Sequence, residues 1–459
     1  MSITRRSLLL GAGTGAVAML LAACTPEPAP KPTRSIPVPE PTAPSQVPAP
    51  AAWARSTWST DPYSYGAVSY LPAGAEPAQR ETLAKPISDR VFFAGEALDP
   101  TNPGTVLGAV DSGRGAALDL MSVGAEKERI AVIGAGAAGV VAARMLADSG
   151  RAVTIFEARE RSGGRILSQS GDDWPIPAQL GAWLITDEQV AALGDRLTTL
   201  GENHLELEPA TGWSEEGRVD AVDGTAIAQA VEKAQALPSD LPLTEALTRN
   251  GADPDDPALM ASLAWLAATT GADPARASSW YPPAFASDAL TGTTDDLGAF
   301  FDAYLDDLEV TLASPVVRVA YDDTGVSLRL GTGEALSFDR VIVTAPIGVL
   351  QRQGIEFAPA LPFSHRGAIA ALASGFIETV WMRFEEPFWD AEEPIWHVVG
   401  GDGLIRTWLN LLPATGEPVL VGIVGGPEAE QFAALSDRQS RAAARQSLAF
   451  FAPPAEEKG

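Results

Sequence analysis

The sequence predicts an α/β fold in which a parallel-sheet nucleotide-binding domain is joined to an α+β domain that holds substrate. Three observations predict it. An apolar run, Arg129–Ile133, leads straight into Gly134-Ala135-Gly136-Ala137-Ala138-Gly139, and a helical stretch and a second strand, Ala152–Phe156, follow. The chain has 459 residues, enough for two sizeable cores, and 46% of them are hydrophobic. Helical patterns recur far from this unit, at Thr225–Gln235 and from Ser436 to Phe450, which supports a second lobe.

The first strand is short, apolar and suited to burial on both faces. Val140 to Ser149 reads as the crossover helix, which Gly150 ends, and the second strand closes on Glu157. This is the βαβ spacing of a Rossmann-type dinucleotide site. Gly134 permits the tight turn, and Gly136 lets the backbone approach a pyrophosphate at the helix N-terminus. Ala138 lies in the same loop. Gly139 allows helix and strand to pack closely, and Glu157 is placed to accept hydrogen bonds from ribose hydroxyls.

Composition narrows the function. A formal net charge of −27 and a pI near 4.4 argue against a nucleic-acid partner, because phosphates repel such a surface. The same charge mildly concentrates cationic substrates. The single cysteine, Cys24, rules out an internal disulfide and a Cys-x-x-Cys redox motif. His204, His365 and His397 lack ligand spacing, so no metal site is expected.

The N-terminus reads as an address. Thr4-Arg5-Arg6-Ser7-Leu8-Leu9 is a twin-arginine pattern. The apolar run from Leu8 to Ala23 is short of the roughly 20 residues of a spanning helix and fits a signal-peptide core. It ends in Leu21-Ala22-Ala23-Cys24, similar to a bacterial lipobox, which implies acylation of Cys24 and a lipid-bilayer anchor. Residues 24–50 are rich in proline, which removes donors and fixes φ, so a stalk is expected there. The resulting expectation is export by the twin-arginine route to the outer face of the cytoplasmic membrane.

Glu157-Ala158-Arg159-Glu160-Arg161-Ser162-Gly163-Gly164-Arg165 resembles the second fingerprint of the flavin amine oxidase family. In that family the arginine of Gly-Gly-Arg contacts the FAD pyrophosphate, and Arg165 is the matching residue. Gln179-Leu180-Gly181-Ala182-Trp183 resembles the family segment beside the flavin ring. Phe92-Phe93-Ala94-Gly95-Glu96 and Gly104-Thr105-Val106-Leu107-Gly108-Ala109 resemble the segment that closes amine oxidases at their C-terminus, and Trp58, Asp61-Pro62-Tyr63 and Gly66-Ala67-Val68-Ser69-Tyr70 the stretch before it. Here all of these precede the glycine loop. Ala313-Ser314-Pro315-Val316-Val317-Arg318-Val319 resembles the strand whose valine meets adenine. Arg340 to Pro346 and Glu386-Pro387-Phe388-Trp389 follow in the usual order, and the sequence stops near Pro453-Pro454, where ordinary members continue. The resemblance implies a circularly permuted chain cut once and rejoined, with Gly113 to Met121 as the last family helix and Ser122 to Glu128 as the joint.

The domain organisation expected is a signal peptide at 1–23 and a linker at 24–50. An FAD-binding domain follows at 51–185, made of a permuted segment, 51–123, and a nucleotide segment, 129–185, and continues at 298–355. Substrate-domain parts lie at 186–297 and 356–459. By the resemblance, oxidation of an amine carbon–nitrogen bond is expected, with hydride transfer from the amine's α-carbon to flavin N5, and reoxidation by oxygen or another acceptor. Three departures bear on this. At the position of the family's lysine, which holds a water near N5, the sequence has Thr379. The aromatic pair that flanks the amine in monoamine oxidases is replaced by Val68 or Ala67 and by Thr105, with Tyr70 nearby, implying a pocket shaped for something other than a small aryl-alkylamine. No cysteine precedes the Phe-Ala-Gly-Glu strand, so FAD is expected without a covalent link. A desaturase or porphyrinogen-type oxidase of the same superfamily, and a non-catalytic FAD-binding lipoprotein, are the alternatives. Oligomeric state is not indicated.

Overall fold

Four largely apolar strands and a short polar edge strand, Glu309–Thr311, form an all-parallel nucleotide sheet. Their order is Glu309–Thr311, Ala152–Phe156, Arg129–Ile133, Arg340–Val343 and Val91–Phe93. Ile130, Ala131 and Val132 are fully buried at its centre. Each such Val or Ile contributes about 1.5–3 kcal/mol when taken out of water. The edge strand Val91–Phe93 lies early in the chain yet pairs with Arg340–Val343, some 250 residues later, in the register Val91 to Val341, Phe92 to Ile342 and Phe93 to Val343. The computed structural model describes residues 47–186, 203–287 and 289–452. They belong to one compact unit, Val38–Gly459. The twin-arginine segment, Cys24, the proline-rich stretch as far as residue 46, and Pro453-Pro454 lie outside the described residues.

Helix Val106–Val123 begins seven residues before the expected Gly113. Thr105 caps it, its hydroxyl accepting from the Gly108 N–H at 2.9 Å and donating to the Asn102 carbonyl at 2.8 Å. The glycines on either side of Thr105 obscure that start in the sequence. Only Gly124 to Glu128 then separate this helix from strand Arg129–Ile133. The crossover helix spans Ala137–Asp148. It ends against Gly150, whose φ of 86° suits a left-handed C-terminal turn.

A second, seven-stranded sheet is the platform. Its order is Ala52–Arg55, Ile377–Arg383, Val419–Gly425, Thr407–Asn410, Ile395–Val398, Ala210–Ser214 and Gly217–Val219. The first strand departs from the domain division expected above: Ala52–Arg55 pairs with Ile377–Arg383 rather than joining the nucleotide sheet. Glu356–Ala358 departs in the other direction, pairing with Val316–Tyr321 beside the nucleotide unit. Helix Pro257–Thr270 packs on the platform; Asp256 caps it, accepting from the Ala258 N–H at 2.9 Å, and Gly271 ends it at φ 67°. Helices Thr225–Gln235 and Asp437–Ser447 lie where the sequence patterns place them, the second opened by a Ser436/Gln439 capping box. No helix among the described residues is long and apolar enough to cross a membrane.

Candidate active site

Four stretches that are remote in sequence wall one cavity of about 430 Å³. The nucleotide unit supplies Gly134, Gly136 and Ala138, then Glu157, Ala158 and Arg159, then Gly164 and Arg165, with Gly181 and Ala182 beyond. The early segment supplies Trp58, Ala67, Val68, Gly95, Glu96, Thr105 and Val106. Val316 and Thr344 to Pro346 close a third side, and Ile377 and Thr379 a fourth.

The glycine loop is shaped by close approach. Gly134 holds φ 103°, and a Cβ on Gly139 would overlap the Gly134 carbonyl oxygen. Gly139 therefore sits beneath the turn, not on the cavity surface, and serves the packing role expected of it. Glu157 is buried, and its carboxylate braces the loop: one oxygen accepts from the Ala135 N–H at 2.8 Å, the other from the Arg159 N–H at 2.8 Å. The N-terminus of helix Ala137–Asp148 faces the same space, and its free N–H groups favour an anion.

Arg165 ties the nucleotide unit to the early segment. Its Nη1 donates to the Ala67 carbonyl at 2.8 Å and to Glu96 Oε1 at 2.9 Å. Glu96 Oε2 accepts from the Ser69 hydroxyl at 2.7 Å, and buried Arg80 donates to that hydroxyl at 2.7 Å and to the Ala97 carbonyl at 2.6 Å. Arg159 donates to Asp61 and Ser64, both at 2.8 Å, and its guanidinium lies 5.9 Å from the Trp58 ring centre and 5.6 Å from that of Tyr63. Burial, then the neighbouring Arg159 charge, lowers the pKa of Arg161. Thr379 is 6% exposed, and its hydroxyl oxygen has no hydrogen-bond partner.

Two residues expected at the site lie elsewhere. Trp183 is buried against Trp381, with ring centres 5.1 Å apart, and does not line the cavity. Tyr70 shares a strand with Val68, but the cavity ends at Val68; Tyr70 packs with Ala272, Ala277 and Ala373. Trp58, Ile377 and Thr344 line the cavity although they are not among the site residues the sequence predicts. For Trp58 a signal existed, since it belongs to a stretch with family resemblance, but its proximity to Arg159 and Arg161 arises only in three dimensions.

Similar proteins show the family of the chain. A family model described as flavin containing amine oxidoreductase matches residues 37–121 and 253–458, and a model of an NAD(P)-binding Rossmann-like domain matches residues 132–197. The chain belongs to the flavin-containing amine oxidoreductases. It is 30% identical over 349 residues to polyamine oxidase 5 of Oryza sativa subsp. japonica, covering 68% of this chain and 69% of that one. It is 29% identical over 351 residues to polyamine oxidase 4 of the same plant, covering 68% and 70%. A putrescine oxidase solved with putrescine shares the fold, with a TM-score of 0.55 and 19% identity over 72% of this chain and 83% of that one. The chain is thus an oxidoreductase whose cofactor is FAD and whose reaction is amine oxidation. Its residues fit that cofactor: the glycine turn leaves room for backbone approach, a helix N-terminus faces the space, and Glu157 is held rigidly beside both.

Proposed function

We propose that this protein is a circularly permuted, exported amine oxidase that takes an aliphatic di- or polyamine and binds FAD without a covalent link. The convergence of early, middle and late segments on one cavity carries the reading. Three further observations support the permutation. The early strand Val91–Phe93 completes the nucleotide sheet. Helix Val106–Val123 runs into strand Arg129–Ile133 through five residues. At the other end, Arg445 on helix Asp437–Ser447 donates to the Val47 carbonyl, so the first described residue sits against the last described α-helix. Permutation is tolerated where the points to be joined lie close together. One family model matching on both sides of the Rossmann-like segment supports it too.

FAD, when bound, supplies the two-electron acceptor that turns an amine carbon–nitrogen bond into an imine. The chain's own residues prepare the substrate. Val68 and Ile377 give the cavity an apolar wall, and loss of solvent there lowers an amine's pKa and favours its reactive neutral form. Thr379, with its unpartnered hydroxyl, is a holder for one water or for the amine itself. The substrate class is supported by the polyamine and putrescine oxidases among the similar proteins and by the net charge of −27. The only cysteine, Cys24, precedes the described residues, which supports a non-covalent cofactor and leaves that thiol for acylation. A Cys24→Ser change is expected to release the enzyme from the membrane fraction.

The decisive experiment is anaerobic addition of putrescine, spermidine and a monoamine to the purified yellow protein. Loss of the oxidised flavin band with release of ammonia or a smaller amine supports the reading. A panel that leaves the flavin oxidised, while a non-amine substrate reduces it, replaces it with the desaturase or porphyrinogen-type alternative.

A further inference from the structure

Glu378 is a carboxylate with no solvent exposure, second in the largely buried strand Ile377–Arg383. No charged side chain offsets it among the described residues; hydrogen bonds do so instead. One carboxylate oxygen accepts from the Ser56 hydroxyl at 2.5 Å and the Trp58 N–H at 3.0 Å. The other accepts from the Ser59 N–H and the Ser59 hydroxyl, both at 2.7 Å. All four donors come from one segment, Ser56–Ser59, about 320 residues earlier.

The arrangement is reciprocal. The Thr379 N–H donates to the Ser56 hydroxyl oxygen at 2.8 Å, and the Ser56 N–H donates to the Thr379 carbonyl at 2.9 Å. That leaves the Ser56 hydroxyl proton for Glu378. Both residues next to this lock, Trp58 and Thr379, line the cofactor cavity. Trp58 is fixed further by its Nε1–H, which donates to the Leu180 carbonyl at 2.7 Å. A buried acid without a cation is a poor choice for stability alone, since an apolar side chain of similar size avoids the cost of desolvation. Burial raises the carboxyl pKa on balance, and the four hydrogen bonds to its two oxygens offset part of that rise.

We propose that Glu378 is a positioning residue for the cofactor site. It holds Ser56–Ser59 against the platform so that Trp58 and Thr379 form one fixed wall, and it sets a negative charge behind that wall. The inference rests on the cavity's holding FAD and needs no particular amine. A fixed negative charge opposes the addition of electrons, so it lowers the midpoint potential of the bound flavin.

The test compares purified holoenzyme with Glu378→Gln, which keeps the size and removes the charge, and Ser59→Ala, which removes one hydroxyl donor. The dissociation constant for FAD and the midpoint potential are read for each. Glu378→Gln is expected to weaken FAD binding at least tenfold, the range for loss of charge-assisted hydrogen bonds, and to raise the potential. Ser59→Ala is expected to weaken FAD binding about two- to fivefold with the potential close to that of the parent. A folded Glu378→Gln protein with unchanged FAD affinity or unchanged potential overturns the proposal. If Glu378→Gln does not fold, Ser59→Ala decides alone, and unchanged FAD affinity overturns it. Neither readout depends on turnover, so failure of the amine panel leaves this test intact.

Discussion

The nucleotide unit and the platform wall serve the same cavity but are specified in different ways. From Gly134 to Arg159 a contiguous stretch builds a turn, a helix N-terminus and a braced carboxylate, each positioned chiefly by its near neighbours. The rest of the wall is assembled from Trp58, Val68, Glu96, Ile377 and Thr379, and its contacts cross 69 residues at Glu96 and 320 at Trp58. Local geometry makes the first half robust to where the chain is cut. The second half depends on long-range contacts, so the early segment must dock for the site to close.

This contrast predicts separable failures. The largest expected effect is in the nucleotide unit. In Gly139→Ala the added methyl meets the Gly134 carbonyl oxygen, a backbone atom that has little freedom to move. A loss of about 3 kcal/mol in stability is expected, together with loss of bound FAD, measured by denaturant unfolding and by flavin absorbance. Retention of FAD at parental stability breaks the comparison at its stronger side.

The platform should fail through acid instead. His397 is buried against Trp265, with neither ring nitrogen hydrogen-bonded, and burial lowers its pKa to about 4 from an ordinary 6.5. The unfolded chain takes up a proton as pH falls through 6.5, while the folded chain resists until near 4. Stability from this group is therefore present above 6.5 and is lost on descending through that interval, by up to roughly 3 kcal/mol. His397→Leu should flatten the pH dependence of unfolding across the same range. A parental acid slope in that variant removes His397 from the account.

The smallest effect sharpens the boundary of the site. Tyr70 lies outside the cavity and its phenol hydrogen-bonds the Asp273 backbone, so Tyr70→Phe should leave kcat/KM for amines within about twofold while costing about 1 kcal/mol of stability. A selective fall in amine turnover would return Tyr70 to the substrate wall.

The same contrast explains how much was legible in the sequence. Strands Arg129–Ile133 and Ala152–Phe156 read directly as apolar runs because both faces of a parallel sheet are covered. Helix Thr225–Gln235 read as a periodic stripe. The start of helix Val106–Val123 did not, because Gly104 and Gly108 break the pattern that the Thr105 cap restores. Val68 and Tyr70 share a strand face, but alternation carries no information about where a cavity stops. Glu378 had a visible signal, one acid inside an apolar strand, yet its meaning lay in Ser56 and Ser59, which no local pattern connects to it.

The proposed rejoining of the chain is tested most directly by undoing it. A chain beginning at Arg129, running to Ala452, continuing through a short flexible linker into Val47 and ending at Val123 would, on that proposal, have the family order. Its FAD stoichiometry and anaerobic reduction by amine would be measured beside those of the parent. The account predicts a soluble yellow protein with one FAD per chain and the parent's amine response. A folded, soluble product of this design that binds no FAD would contradict it.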